Sequence, residues 1–216
     1  LPTEPEPMTY MVMEYLPGES LSKRLERQRL SAKEIVSIIE QLAQGLDYAH
    51  AQGVIHRDLT PSNVIFSAQN QPVIVDFGLA QLFEMSRGSL IENPRQTSIK
   101  GTPAYMAPEQ VLGDRITPVT DQYALAVIAY EMLSGAVPFS GDGAYDLMMA
   151  RVYSTPAPLA EKHDLPLAVD SVIFKAMALD AAERYSNATA FAQALGEALL
   201  PDDYRPKVIL DPLQAA

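Results

Sequence analysis

VIHRDLTPSNVIFSAQNQPVIVDFG, residues 54–78, is the segment from which the fold of this protein can be predicted. Two short apolar runs, residues 64–66 and 73–75, are separated by a polar turn, so the stretch predicts a β-hairpin. Polar side chains flank both runs, with His56, Arg57, Asp58 and Asn63 before the first and Asp76 after the second. We therefore expect several oxygen-bearing side chains to meet at one edge of a small sheet.

This cluster has the composition of a phosphoryl-transfer site. Mg²⁺ binds through one or two carboxylates together with substrate phosphates, and the amide oxygen of Asn63 is an acceptable further ligand. Asp76 is the natural metal carboxylate, whereas Asp58 is placed to orient a hydroxyl nucleophile and accept its proton. Taken singly, such residues more often serve turns and caps. It is their combination that favours chemistry.

Three ordered motifs resemble those of protein kinases. The string HRDLTPSN, residues 56–63, matches the catalytic-loop pattern H-R-D-x-x-x-x-N; residues 76–78 match D-F-G, and residues 107–109 match A-P-E after GTPAYM. The chain is thus similar to bacterial-type (Hanks-type) serine/threonine protein kinases. The resemblance implies an α+β fold, with a mostly α-helical C-terminal lobe and a short catalytic β-hairpin.

The resemblance also implies a reaction, the transfer of the γ-phosphoryl group of ATP to serine or threonine hydroxyls of proteins with the help of Mg²⁺. Asp58 is then the base, Asn63 and Asp76 are the metal ligands, and His56 packs beneath Phe77 without carrying a proton. Residues 9–15 are expected to form the last strand of the N-terminal lobe. The residues assigned to the nucleotide are Met13 as gatekeeper, Glu14 and Leu16 through their backbone, Ser20 (or Glu19) at the ribose, and Ile65.

Residues 79–108 resemble a kinase activation segment. Such a long polar stretch without periodicity is usually functional or disordered. Ser86, Ser89, Thr97 and Ser98 are candidate phosphorylation sites, and we favour Thr97 or Ser98, whose phosphate would dock on Arg57. Thr102 resembles the threonine that lies against the catalytic aspartate, and it favours serine/threonine over tyrosine as acceptor.

Helix signals frame these motifs. Ser20 is expected to cap a short helix, and the capping box of Ser31 and Glu34 opens a long amphipathic helix that closes near residue 53. Residues 121–133 are apolar on nearly every face, so their helix must be buried. In the kinase resemblance, Asp121 accepts backbone hydrogen bonds from the catalytic loop, and Glu109 pairs with Arg184.

Composition excludes several classes of protein. The charge balance of 16 − 27 = −11 argues against nucleic acid or an anionic membrane as the main partner, and the most apolar run, residues 123–133, is well short of the roughly 20 residues that span a bilayer. The absence of cysteine fits a reducing compartment, so a cytoplasmic location is expected. We expect a hinge remnant at residues 1–16, a kinase C-terminal lobe at 17–200, and a tail or linker at 201–216.

The sequence departs from the family in three respects, the smallest being Ala181 where a proline commonly precedes the final helix. The glycine-rich loop, the strand lysine and the helix with its glutamate partner are missing, so the resemblance covers about two-thirds of a kinase domain, and an upstream lobe or sensor is expected. Thr60 stands where these kinases usually carry a lysine that counters charge on the γ-phosphate. We expect the chain alone to be nearly inactive. The alternative is a silent pseudokinase or scaffold that binds partner proteins.

Overall fold

The computed structural model describes residues 12–77 and 103–204. These residues form a mostly helical unit with one antiparallel pair of strands. The α-helices are α1 (Leu21–Arg27), α2 (Ala32–Ala51), α3 (Pro108–Leu112), α4 (Pro118–Ser134), α5 (Ala144–Tyr153), α6 (Ala160–His163), α7 (Ala168–Ala176) and α8 (Ala188–Leu199). The strands are β1 (Val64–Phe66) and β2 (Pro72–Ile74), and short 3₁₀ helices span Pro61–Asn63, Pro103–Tyr105 and Ala181–Glu183. The predicted α+β, mostly helical fold class is confirmed.

Local capping signals set the starts of the first two helices. Ser20 accepts a hydrogen bond from the Lys23 amide at the start of α1. At α2, the Ser31 hydroxyl accepts from the Glu34 amide while the Glu34 carboxylate accepts from the Ser31 amide, which is the predicted capping box. The apolar stripe of α2 is buried, with Ile39 fully inaccessible, and it packs against α4 and α8.

Helix α4 is the centre of the core. Nearly every side chain from Thr120 to Tyr130 is buried, as the all-round apolar pattern predicts. Thr117 precedes the helix and Pro118 takes its first position, where a missing N–H costs nothing. Gly135 ends the helix with φ of 79°, a left-handed conformation that glycine adopts without steric cost.

The hairpin forms with a small shift in its second strand. Val64 pairs with Ile74 and Phe66 pairs with Pro72, so β2 begins and ends one residue earlier than the predicted run of residues 73–75. The reason lies in the turn, where the Ser67 hydroxyl accepts from the Gln69 and Gln71 amides and closes the loop before Pro72. In the described residues this sheet has only two strands, so Pro72 occupies an edge where no N–H is required.

The predicted strand of residues 9–15 is wrong over its described part. Residues 12–15 have no strand structure, and Val12 and Tyr15 are 85% and 83% exposed. A strand needs a neighbour for its backbone groups, and none of the described residues pairs with this segment. The backbone first bonds to the hairpin at residues 18–19, where Gly18 N donates to Phe66 O and Phe66 N donates to Glu19 O.

The packed region extends past the last helix. Tyr204 lies within residues 201–216, which the sequence assigns to a tail, yet its ring is buried against Gly196. Its hydroxyl donates to Glu40 Oε1 on α2 at 2.8 Å. Among the described helices, none combines the length and the apolar character that crossing a membrane requires.

Candidate active site

A buried carboxylate on α4 anchors the catalytic loop. Asp121 is 1% exposed, and its two oxygens accept hydrogen bonds from the backbone amides of His56 and Arg57, each at 2.8 Å. These are the contacts that the kinase resemblance implies for Asp121. Because the side chains of α4 from Thr120 to Tyr130 are buried, the loop is attached to a helix at the centre of the core.

His50 also reaches this carboxylate, and sequence reasoning missed it. Its Nε2 donates to Asp121 Oδ2 at 2.7 Å from the last turn of α2. One turn earlier, Asp47 accepts from the Ala188 and Thr189 amides and so caps α8. A histidine at a helix end, six residues before the loop motif, is the only sequence signal for this contact. The end of α2 therefore joins the loop, the core helix and α8.

Two site residues have left-handed backbones. Arg57 and Asp76 have φ of 69° and 65°, which is uncommon for residues with a Cβ and is found where surrounding contacts impose it. The Asp121 hydrogen bond to the Arg57 amide is one such contact. Asp76 directly follows Val75, whose amide donates to Asn63 O at 2.9 Å. The strained residues thus adjoin the hydrogen bonds that hold the two loops together.

His56 links the two loops through both ring nitrogens. Nδ1 accepts from the Asp58 amide at 3.3 Å, so Nε2 carries the proton and donates to Val75 O at 2.9 Å. The ring is 1% exposed and meets Phe77 edge-on, with 4.8 Å between ring centroids. Both nitrogens are occupied, so the ring is held as a structural link between the loops.

Asn63 has a fixed orientation beside Asp58. Its Nδ2 donates to Asp58 O at 2.8 Å, so Oδ1 is the side-chain atom that can bind a cation. Asn63 closes the 3₁₀ helix that begins after Thr60. Thr60 itself is 5% exposed, so the position that usually carries a lysine holds a buried, uncharged side chain.

The electrostatics of Asp58 suit a base. Partial burial raises the pKa of its carboxyl above the ordinary value, the neighbouring His56 lowers it, and the negative charge of Asp76 raises it further. The net shift is upward.

The residues present fit a magnesium ion bound together with phosphates. No cluster of three or more His, Cys, Asp or Glu side chains that could hold a metal exists in residues 12–77 and 103–204. Mg²⁺ does not need such a cage, because one or two carboxylates and the phosphate oxygens of its substrate suffice. The exposed Asp76 and the Asn63 amide oxygen offer that donor set.

The residues assigned to the nucleotide lie in two environments. Met13 and Glu14 are exposed and Leu16 is partly buried. Ile65 and Ser20 lie side by side, joined by an isolated β-bridge, and the Ser20 hydroxyl serves as the cap of α1. The Glu19 carboxylate pairs with Arg27 at 2.8 Å. The structure thus brings Ser20 and Ile65 together, whereas Met13 and Glu14 stand in solvent.

The motif residues after the activation segment are joined by a buried ion pair. Arg184 Nη1 and Nη2 donate to the two oxygens of Glu109, each at 2.8 Å, and both residues are at most 8% exposed. The Thr120 hydroxyl also donates to Glu109. Burial tends to raise the pKa of Glu109, but the hydrogen bonds and charge of Arg184 outweigh it and hold this pKa below its ordinary value.

Several residues that the sequence assigns to D-F-G and to the activation segment lie outside the described ranges. They are Gly78, Ser86, Ser89, Thr97, Ser98 and Thr102.

Comparison with known proteins agrees with this geometry. The protein kinase domain family matches residues 3–196. The serine/threonine-protein kinase PknA of Mycobacterium tuberculosis is 38% identical over 188 residues, which are 86% of this chain and 42% of that protein. The serine/threonine-protein kinase PknB of the same organism is 33% identical over 184 residues, which are 84% of this chain and 29% of that protein. The chain thus spans less than half the length of these curated relatives. It belongs to the protein kinase family.

Proposed function

We propose that this chain is the catalytic C-terminal lobe of a serine/threonine protein kinase, which transfers the γ-phosphoryl group of ATP to a protein hydroxyl. The observation that carries the proposal is the loop of Asp58 and Asn63, locked to the core by Asp121 and to the residue before Asp76 by His56. Both curated relatives are named serine/threonine kinases, which supports the same acceptor class here. The intact GTPAYMAPE segment supports it as well.

In this proposal Asp58 is the base. The acceptor hydroxyl oxygen forms a bond to the γ-phosphorus, the bond to the ADP oxygen breaks, and the hydroxyl proton passes to Asp58. Partial burial makes the Asp58 carboxylate more basic, which favours this proton transfer. The hydrogen bond from Asp58 N to His56 and that from Asn63 to Asp58 O hold the backbone of Asp58 in place.

Asn63 and Asp76 are proposed to hold Mg²⁺. The ion supplies positive charge that neutralises the phosphate oxygens. Asn63 contributes Oδ1 and Asp76 its carboxylate, and the strained backbone of Asp76 sets the direction of that carboxylate. The nucleotide is proposed to bind against Met13, Glu14, Leu16, Ser20 and Ile65. Ser20 would do so in addition to capping α1.

Regulation is proposed to act through the activation segment. A phosphate on Thr97 or Ser98 would pair with Arg57, whose backbone adjoins the base, and Thr102 would help to place the acceptor hydroxyl. Thr60 brings no charge to the γ-phosphate, so we propose a slower transfer than in a lysine-bearing kinase. We also propose a cytoplasmic location, a hinge remnant at residues 1–16, and a C-terminal lobe that runs from residue 17 to Tyr204, past the expected boundary at residue 200.

The test is transfer of radiolabelled phosphate from ATP to a generic protein acceptor. The assay compares the 216-residue chain with a fusion that places a kinase N-terminal lobe ahead of Leu1, called the extended protein below. We expect transfer from the extended protein and negligible transfer from the chain alone. Silence in both, with the fusion folded and binding Mg-ATP, would refute the kinase proposal and favour the pseudokinase scaffold. Strong transfer by the chain alone would refute the expectation that transfer needs an N-terminal lobe.

A further inference from the structure

Gln110 connects the A-P-E segment to the catalytic loop. It lies on α3, one residue after Glu109, and both ends of its carboxamide are used. Nε2 donates to Arg57 O at 2.7 Å, and Oε1 accepts from the Ala107 amide at 2.9 Å. One side chain therefore bridges two segments that are 53 positions apart in sequence.

The carbonyl that Gln110 binds belongs to the peptide unit that carries Asp58. The same unit contains the Asp58 amide, which donates to His56 Nδ1. Its two polar groups are thus held from different directions, the carbonyl by α3 and the N–H by the His56 ring. Since Arg57 has a left-handed φ of 69°, this peptide unit needs such contacts to keep its orientation.

Packing around Gln110 offers no substitute for this hydrogen bond. A cavity of about 10 Å³, lined among others by Arg57, Asp58 and Gln110, lies between the loop and α3. That volume is about one water molecule, so the two segments are not in full apolar contact here. Loss of the carboxamide would widen the gap, and a water entering it could donate to the Arg57 carbonyl but would not tie that carbonyl to α3.

We infer that Gln110 is a positioning residue that couples the segment at residues 103–107 to the orientation of Asp58. This inference rests on the proposed kinase function, because it assigns Gln110 a part in placing the base. Gln110 acts through the Arg57–Asp58 peptide unit and Ala107. Its loss should therefore lower kcat while leaving KM for ATP nearly unchanged.

The first test uses two variants of the extended protein. Gln110→Ala removes both hydrogen bonds, whereas Gln110→Glu keeps the shape and the acceptor but replaces the donor with a carboxylate that repels Arg57 O. We expect kcat to fall by about tenfold in each at about pH 7.5, the size of effect that a lost hydrogen bond to a neutral group gives. KM for ATP should stay within about twofold, because no nucleotide group is expected to lie at α3.

The pH profile separates positioning from a general loss of structure. In Gln110→Glu, protonation of the introduced carboxyl restores an O–H donor toward Arg57 O. The ratio of Gln110→Glu to parent kcat should therefore rise as the pH falls, while the ratio for Gln110→Ala stays flat. The matched control is Gln69→Ala, an exposed glutamine in the hairpin turn, which should change neither kcat nor KM. A flat ratio for both Gln110 variants, or an unchanged kcat, would overturn the inference.

Hydrogen exchange of the 216-residue chain gives a readout that does not depend on catalysis. We expect faster amide exchange in Gln110→Ala at residues 56–59 and 103–107, and parental exchange elsewhere. Gln69→Ala should match the parent in both segments. If exchange rises over the whole chain, or in neither segment, Gln110 has no positioning role. A silent extended protein would refute the kinase proposal while the exchange result still decides the coupling.

Discussion

Breaking the pair of Glu109 and Arg184 by removing one partner should cost more stability than breaking an exposed ion pair of similar length. Arg184→Met keeps an unbranched but shorter apolar side chain and removes both 2.8 Å hydrogen bonds to Glu109, together with those to the carbonyls of Ala178 and Val119. The Glu109 carboxylate, 8% exposed, would keep its bond from Thr120 but lose its charged partner. Breaking a buried pair by removing one partner costs about 3 to 5 kcal/mol, because the survivor is left uncompensated.

The assay is urea denaturation of the purified chain, followed by circular dichroism, with a thermal scan of the same samples. A loss of this size corresponds to a Tm lower by roughly 6 to 20 °C for a domain of this length. Arg27→Met is the control, since Arg27 pairs with Glu19 at the same 2.8 Å but is 69% exposed. Exposed pairs contribute about 0 to 1 kcal/mol, so this variant should hardly differ from the parent.

A second substitution tests the physical reason for the loss. In the Arg184→Met background, Glu109→Gln replaces the buried charge with a neutral amide, and we expect it to restore a large part of the lost free energy of unfolding. Equal losses in Arg184→Met and Arg27→Met would refute the reasoning, because burial would then make no difference. A further loss on adding Glu109→Gln would show that the stranded charge is not the cause.

Three other perturbations have defined outcomes. Asp121→Ala leaves the backbone amides of His56 and Arg57 without their acceptor. We therefore expect the free energy of unfolding, measured by urea denaturation, to fall by about 3 kcal/mol and the hydrogen exchange of those amides to become faster. Unchanged exchange would contradict the role of Asp121 in holding the catalytic loop. Tyr204→Ala removes a buried ring and should lower the free energy of unfolding by about 3 kcal/mol, whereas a true tail residue would cost nothing. The pKa of Glu109 is lower in the folded than in the unfolded protein. Its ionised carboxylate therefore stabilises the fold when the pH is above the unfolded-state pKa, and this stabilisation is lost as the pH falls through the folded-state pKa. The gap in stability between parent and Arg184→Met should therefore narrow on acidification below about pH 4.5, and a widening gap would contradict the sign.

The features that sequence predicted well are local ones. The Ser31 and Glu34 capping box, the hairpin after Asn63 and the all-round apolar helix α4 each depend on residues close together in the chain. Such signals are present in the sequence itself and do not require the rest of the fold. Family membership followed from the same motifs, which the comparison with known kinases supports.

The features that sequence missed depend on contacts between distant residues. His50 reaches Asp121 across 71 positions and Gln110 reaches Arg57 across 53, and neither pairing is visible before the helices pack. The predicted strand at residues 9–15 fails over its described part for the same reason, since strand structure depends on a partner. The sequence places Tyr204 in a tail because nothing nearby in the chain indicates its packing on α2 and α8.

Asp58→Asn in the extended protein tests directly whether Asp58 is the base, with phosphate transfer and Tm measured on the same sample. The raised pKa of Asp58 means that the fold favours its protonated form. Its contribution to stability is full below the unfolded pKa and is lost as pH rises through the folded pKa. At neutral pH a neutral asparagine should therefore leave Tm equal or higher, while transfer falls by about 10² to 10⁴, the range for loss of a general base. Asp142→Asn, at an exposed aspartate, is the control and should change neither quantity. Parental transfer by Asp58→Asn would contradict the assignment of Asp58 as the base.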